Sequence, residues 1–109
     1  MYDMKNLARI ERLAENSPES FAGYQVLDAG AFEAGAIPLK YKELIAVAVA
    51  VATQCAYCLT IHGEKARDAS ATEKELSEAV MIAVALRAGG ALTHAVHALG
   101  EPRPAAVPR

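Results

Sequence analysis

The stretch "LKYKELIAVAVAVATQCAYCLTIHGEKA", residues 39–66, decides the fold of this chain. Pro38 stands just ahead of it, where proline favours the opening of a helix. After Glu43 the residues are apolar almost all round, which predicts a buried helix, and their continuous length and alanine content favour a helix over a buried strand. A further helix is expected from about residue 53 to about residue 68. The centre of the chain is therefore a predicted pair of consecutive helices.

The segments on both sides of this pair also show helical patterns. Ser17 followed by Pro18 is typical of a helix start, and the pair Gly89-Gly90 is expected to interrupt a helix. The segment "SATEKEL" offers Ser70 or Thr72 as a cap. The predicted flanking helices cover residues 4–15, 18–34, 73–88 and 91–99. The prediction is an all-α domain of about six helices over residues 1–100, followed by a proline-rich tail at 101–109.

The composition limits the classes of partner. Of 109 residues 53% are hydrophobic and 6% aromatic, and so large an apolar share on so short a chain predicts burial against another subunit. The net charge of −2, without a cluster of Lys and Arg, argues against a nucleic acid. The longest apolar run, residues 44–52, is too short to span a membrane. The polar N-terminus is unlike a signal peptide, which indicates a cytoplasmic protein.

The only two cysteines lie in "TQCAYCLTIH", together with a histidine. If the helix covers this stretch, Cys55, Cys58 and His62 share one stripe, because residues three and four apart are neighbours. A helix N-terminus favours the thiolate, which is the reactive form of cysteine. His62 could accept the proton of Cys58, directly or through a water. This spacing is typical of a thiol pair that is oxidised to a reducible disulfide and then regenerated.

Other interpretations of these residues remain open from the spacing alone. Cys55, Cys58 and two of the three histidines His62, His94 and His97 would make a four-ligand zinc site. Two structural cysteines in an apolar helix are a third possibility, since free cysteine is commonly buried. The pair His94 and His97 is also typical of a surface or an oligomer contact.

Glu43 is the last charge before the long apolar run, and alone it would be a first-turn carboxylate favoured by the helix dipole. The order Glu43, Cys55, Cys58, His62 resembles the active-site pattern of the alkylhydroperoxidase AhpD and carboxymuconolactone decarboxylase family. The similarity extends over roughly residues 21–99 and includes "GAIPLKYKELIAVAVAVATQCAYCLTIHGEKA" and "ATEKELSEAVMIAVAL". It implies an all-α, AhpD-like helical bundle that forms a homo-oligomer, often a trimer or hexamer.

The resemblance also implies a thiol peroxidase. In the family mechanism the residue at Cys58 attacks the peroxide, the residue at Cys55 closes the disulfide, and those at His62 and Glu43 relay protons. No cofactor is bound, and an external dithiol such as a lipoyl group reduces the disulfide. The best-known peroxidases of the family carry histidine where this chain has Tyr57, so the relay here is expected to be shorter. The resemblance leaves two alternatives to a peroxidase: a disulfide reductant, or a lactone decarboxylase, although the decarboxylase branch of the family lacks the cysteine pair.

Overall fold

Helices form nearly the whole of the chain. The computed structural model describes residues 2–105, and within that range it contains five α-helices, a short 3-10 helix and no strand. In chain order the elements are the 3-10 helix Met4–Arg9, α1 Ile10–Asn16, α2 Pro18–Phe32, α3 Leu39–Thr53, α4 Ala56–Asp68 and α5 Glu73–Leu99. The all-α prediction is thus confirmed. Part of the predicted proline-rich tail, residues 106–109, lies outside the described residues.

The centre of the molecule is α3, which packs most extensively against α4 and then against α5. The side of α3 that carries Leu44, Val47 and Ala50 is buried, and the core also contains Ala66 of α4 and Ala83 of α5. Small alanine side chains let these helices approach closely. The expectation that α3 is buried all round is wrong for the single chain, because its opposite side is about half exposed at Ile45 and Val49.

The chain reverses between α3 and α4 within two residues. Gln54 adopts a left-handed conformation, with φ 57° and ψ 40°. Its N–H donates to the carbonyl of Val51, and the N–H of Cys55 donates to the carbonyl of Ala50. These two bonds form a Schellman motif, which usually has glycine at the left-handed position. Helix α4 therefore runs back along α3 and begins at Ala56, later than the sequence predicted.

Helix α5 begins at a capping box and then continues for 27 residues. The Thr72 hydroxyl accepts the N–H of Glu75, and the Glu75 carboxylate accepts the N–H of Thr72. The predicted break at Gly89-Gly90 is wrong, and the two last predicted helices are one. Each glycine costs roughly 1 kcal/mol in a helix interior, which long flanking segments of good helix formers can offset. The predicted start of α2 is confirmed, because the helix begins at Pro18 with Ser17 as its N-cap residue, although the Ser17 side chain makes no capping hydrogen bond.

Much apolar surface is uncovered in the single chain. The accessible surface is 8893 Å², whereas a compact chain of this mass exposes about 5,800 Å². The radius of gyration is 20.3 Å, against about 13 Å for a compact domain of this length. The most exposed of the large apolar side chains lie on α2 and α5, and they are Val26, Leu27, Leu86, Leu92 and Leu99.

Among residues 2–105, α5 is the one helix that is long and apolar enough to cross a membrane, with a mean hydropathy of 1.6 in its most apolar window. Only 6% of that window is buried in the single chain. Arg87 lies near the middle of α5, where a charge would cost roughly 2.5–3.5 kcal/mol in a bilayer. The length and composition of α5 therefore indicate that another surface covers this helix. They do not identify that surface as a lipid bilayer.

Candidate functional site

The two cysteines lie at the turn that joins α3 to α4, and both are free thiols. Cys55 is the N-cap residue of α4 rather than a helical residue, with extended backbone at φ −90° and ψ 97°. Its Sγ accepts the backbone N–H of Cys58 at 3.2 Å. The prediction that both cysteines share a helical stripe with His62 is therefore wrong for Cys55, although the two sulfur atoms still lie close together.

The hydrogen bonds at this turn shift the pKa values of the two thiols in opposite directions. The pKa of Cys55 is lowered, chiefly by the hydrogen bond from the Cys58 thiol and then by the backbone N–H of Cys58. The pKa of Cys58 is raised, first by its hydrogen bond to Cys55 and then by partial burial. In the reduced protein the thiolate therefore resides preferentially on Cys55, and Cys58 is the proton donor to it.

Glu43 and His62 form the second part of the site. The Glu43 side chain extends from α3 to α4, where its Oε2 lies 2.7 Å from Nδ1 of His62. Glu43 is 4% exposed and is the one charged residue buried within the part of the chain that the structure describes. A buried carboxylate needs a partner, and His62 provides it. Because Nδ1 is used in this contact, Nε2 is the ring nitrogen left to exchange a proton with another group.

A cavity of about 440 Å³ connects the two parts of the site. Cys58 and His62 both line it, but within residues 2–105 no direct hydrogen bond joins them, so a proton would pass between them through a water or a bound ligand. Cys55 does not line this cavity. The remaining lining is mainly apolar and comes from Ala31, Phe32, Ile37, Lys42, Ile45, Ala46, Val49, Ala50 and Thr53.

Phe32 is a site residue that the sequence reasoning missed. It is the last residue of α2, and its ring lies parallel to the His62 imidazole, with the ring centroids 4.9 Å apart and the planes inclined by 7°. Lys42 donates hydrogen bonds to the backbone carbonyls of Ala31, at 2.9 Å, and of Glu33. No sequence signal separates Phe32 from an ordinary apolar residue near a helix end, since the contact arises only when α2 folds back onto α3 and α4.

Tyr57, which replaces the expected histidine, is directed to the N-terminal segment. Its hydroxyl accepts the side-chain amide of Asn6 at 3.3 Å and the backbone N–H of Asp3 at 3.5 Å. The ring of Tyr2 packs edge-on against it, with centroids 4.9 Å apart, and the Tyr2 hydroxyl hydrogen-bonds to Thr60. Tyr57 thus attaches the N-terminal segment to the turn that holds the two thiols.

The zinc interpretation receives no support from the geometry. Within residues 2–105, no three His, Cys, Asp or Glu side chains are grouped so that they could hold a metal ion. His94 and His97 lie in the last turns of α5, with their rings 5.8 Å apart. The Nδ1 of His94 is hydrogen-bonded to the carbonyl of Gly90. Neither histidine joins the two cysteines.

Fold and site together define a small all-α protein with a thiol pair next to a buried Glu–His pair. Residues 18–101 match the sequence profile of the carboxymuconolactone decarboxylase family, and the chain belongs to that family. The AhpD-like fold predicted from the sequence fits this assignment.

Two solved structures support the assignment at the level of the fold. A carboxymuconolactone decarboxylase family protein from Legionella pneumophila is 35% identical, with a TM-score of 0.72 over 87% of this chain and 85% of that one. A protein from Methanobacterium thermoautotrophicum is 33% identical, with a TM-score of 0.75 over 81% of this chain and 99% of that one.

The curated relatives have no described activity. An uncharacterized protein of the cox locus of Paracoccus denitrificans is 46% identical over 68 residues, which are 62% of this chain and 61% of that protein. The match therefore spans less than two thirds of its length. An uncharacterized protein of Haemophilus influenzae is 42% identical over 80% of this chain and 77% of its own.

Proposed function

We propose that this protein is a thiol-dependent peroxidase of the AhpD-like type, which cycles between a Cys55–Cys58 dithiol and disulfide. The observation that supports this most directly is that Cys58 and His62 line one apolar cavity while Glu43 holds the imidazole from behind. A thiol, an oriented imidazole and an apolar cavity are what reduction of an organic peroxide requires.

The first step uses the proton that the two thiols share. Transfer of the Cys58 proton to Cys55 leaves a thiolate on Cys58, which faces the cavity and attacks the outer peroxide oxygen. The O–O bond breaks, Cys58 becomes a sulfenic acid, and the departing alkoxide takes a proton from the protonated His62 imidazole, directly or through a water. Glu43 accepts the Nδ1–H of His62 and so stabilises both the neutral and the protonated imidazole.

The second half of the cycle restores the thiols. The Cys55 sulfur attacks the sulfenic sulfur of Cys58, which releases water and forms the disulfide. A dithiol donor, for example a lipoyl-type carrier, then reduces the disulfide by two exchange steps and becomes a cyclic disulfide itself. A reducing compartment such as the cytoplasm would supply this donor.

A second candidate is a disulfide reductant that does not use peroxide. It is favoured by the position of Cys55 at the N-cap of α4, where the thiolate is stabilised before any substrate arrives. Exchange with a substrate disulfide needs such a thiolate but does not need the Glu43–His62 pair. The two candidates therefore differ in whether that pair is required.

Peroxide consumption with a dithiol such as dihydrolipoamide tests the main proposal. After one equivalent of tert-butyl hydroperoxide, the intact protein should lose two hydrogens. Cys55→Ser, in which the Cys58 proton must pass to His62 through a water, should gain one oxygen at Cys58 more slowly and stop. Cys58→Ser should be inactive, and His97→Asn is a control for histidine loss outside the site. Oxygen gained by Cys58→Ser instead of Cys55→Ser would reverse the assignment. No peroxide-dependent mass change would contradict the peroxidase.

We also propose that the active form is a homo-oligomer, a trimer or hexamer in which subunits cover the exposed apolar sides of α2 and α5. The accessible surface of the single chain exceeds that of a compact protein of its mass by roughly 3,000 Å². A stable interface typically buries about 800 Å² per partner, so the excess surface of each chain is large enough for more than one neighbour.

A further inference from the structure

We propose that Phe32 is a positioning residue that fixes the plane of the His62 imidazole, so that Nε2 faces the cavity on the side of Cys58. The effect on turnover rests on the proposed peroxidase function. The positioning itself does not, because it concerns only the orientation of one ring.

One hydrogen bond is too little to orient an imidazole. The contact between Nδ1 of His62 and Oε2 of Glu43 holds the ring at one edge, but a single contact does not fix both side-chain torsions of His62, χ1 and χ2. The Phe32 ring, parallel to the imidazole within 7° and with its centroid 4.9 Å from the imidazole centroid, restrains the remaining freedom. An edge contact and a face contact together determine both the position and the plane of the ring.

Phe32 is itself held from the helix that carries Glu43. Contact between α2 and α3 is limited, and Lys42 attaches the end of α2 by bonding the carbonyls of the two residues beside Phe32. Consecutive residues of α3 thus act on the same imidazole. Glu43 bonds its edge directly, and Lys42 positions the ring that covers its face.

If Phe32 only filled space in the cavity wall, its variants would behave differently from those of a positioning residue. Phe32 is only half-buried and lines an open cavity, so its burial contributes less than that of a core residue. If it only packed, Leu and Tyr would substitute about equally well, and the protein would lose stability without a change at His62. If it positions the imidazole, an aromatic ring is required and Leu should disturb His62 specifically.

The experiment compares Phe32→Tyr, which keeps the stacked ring, with Phe32→Leu, which removes it. Phe21→Leu is the matched control, since Phe21 lies on the same helix but lines a different groove. The readout is the imidazole ¹⁵N chemical shifts of His62 in the neutral ring, assigned by comparison with His62→Gln. We expect one dominant Nδ1–H tautomer in the unaltered protein, Phe32→Tyr and Phe21→Leu, and a mixture in Phe32→Leu.

The kinetic readout separates this proposal from the peroxidase proposal. With tert-butyl hydroperoxide and a dithiol, kcat of Phe32→Leu should fall about 10- to 100-fold, the range expected for a misplaced catalytic group, with Phe32→Tyr near the unaltered value. If the protein proves not to be a peroxidase, the ¹⁵N shifts still decide the positioning role. Unchanged His62 shifts in Phe32→Leu, or an equal change in Phe21→Leu, would overturn the proposal.

A second variant covers the case in which Phe32→Leu does not fold. Lys42→Met keeps Phe32 but removes the two hydrogen bonds that hold the end of α2. Lys42→Met should change the proportion of the two His62 tautomers in the same direction as Phe32→Leu. A thermal melt of the variant tests whether it is folded. A folded Lys42→Met protein with His62 shifts like those of the unaltered protein would also count against the proposal.

Discussion

Replacing Glu43 with Gln should reduce turnover far more than it reduces stability. Gln retains the size of Glu43 and can accept the Nδ1–H of His62, so the 2.7 Å contact persists as a neutral hydrogen bond. Hydrogen bonds to charged groups contribute roughly 1.5–3 kcal/mol and neutral ones roughly 0.5–1.5 kcal/mol. The variant also no longer buries a charge at a position that is 4% exposed, which offsets part of the loss. The free energy of unfolding should therefore fall by no more than about 1 kcal/mol.

The kinetic effect of the same change should be larger. Gln cannot take or share the proton that His62 exchanges, and loss of one general acid–base partner typically costs about 100- to 10,000-fold in rate. That factor corresponds to about 2.7–5.4 kcal/mol in the transition state. Steady-state peroxide consumption gives the loss of turnover, and urea unfolding gives the loss of stability in the same variant. The matched control is Glu78→Gln, because Glu78 lies on the exposed side of α5. Turnover within about threefold of the unaltered protein, together with a small loss of stability, would refute the role of Glu43 in the relay.

Four further outcomes follow from the same structure. Iodoacetamide should label Cys55 before Cys58 as the pH is raised, because the pKa of Cys55 is lowered and that of Cys58 raised; peptide mapping that finds Cys58 labelled first would contradict this order. In the same urea titration at several pH values, stability should rise with pH between the lowered pKa of Cys55 and the unfolded-state thiol pKa, and fall again above it because the pKa of Cys58 is raised. Thr72→Ala should lower the free energy of unfolding by about 0.5–2 kcal/mol through loss of the cap, with Thr72→Ser close to the unaltered protein in the same urea titration. Light scattering should give a multiple of the 11.5 kDa chain mass, and the mass of a single chain at micromolar concentration would exclude the oligomer.

The local patterns of the sequence predicted most of the helices, because their signals lie within one or two turns. Pro38 and the apolar run after Glu43 correctly predicted α3, and Thr72 was correctly among the predicted caps of α5. The pair Gly89-Gly90 was misleading, because glycine weakens a helix without ending it when both neighbouring segments favour the helix.

The site was predictable as a set of residues but not as an arrangement. Spacing identified Glu43, Cys55, Cys58 and His62 as candidates, and the structure brings Glu43 to His62 and Cys55 to Cys58. The extended backbone of Cys55 depends on the left-handed Gln54 before it, and glutamine is not a residue that usually signals this conformation. Phe32 lies 30 residues from His62, and a contact over that distance depends on how the helices pack.

The attachment of the N-terminal segment has a consequence for comparisons within the family. The family profile begins at residue 18, but Asp3 and Asn6, upstream of it, are hydrogen-bonded to Tyr57 between the two cysteines. A change in this N-terminal segment can therefore alter the surroundings of the dithiol without any change in the residues that the family profile covers. Two proteins with the same sequence over the matched region could therefore differ in which molecules reach the sulfur atoms, through the segment that precedes that region.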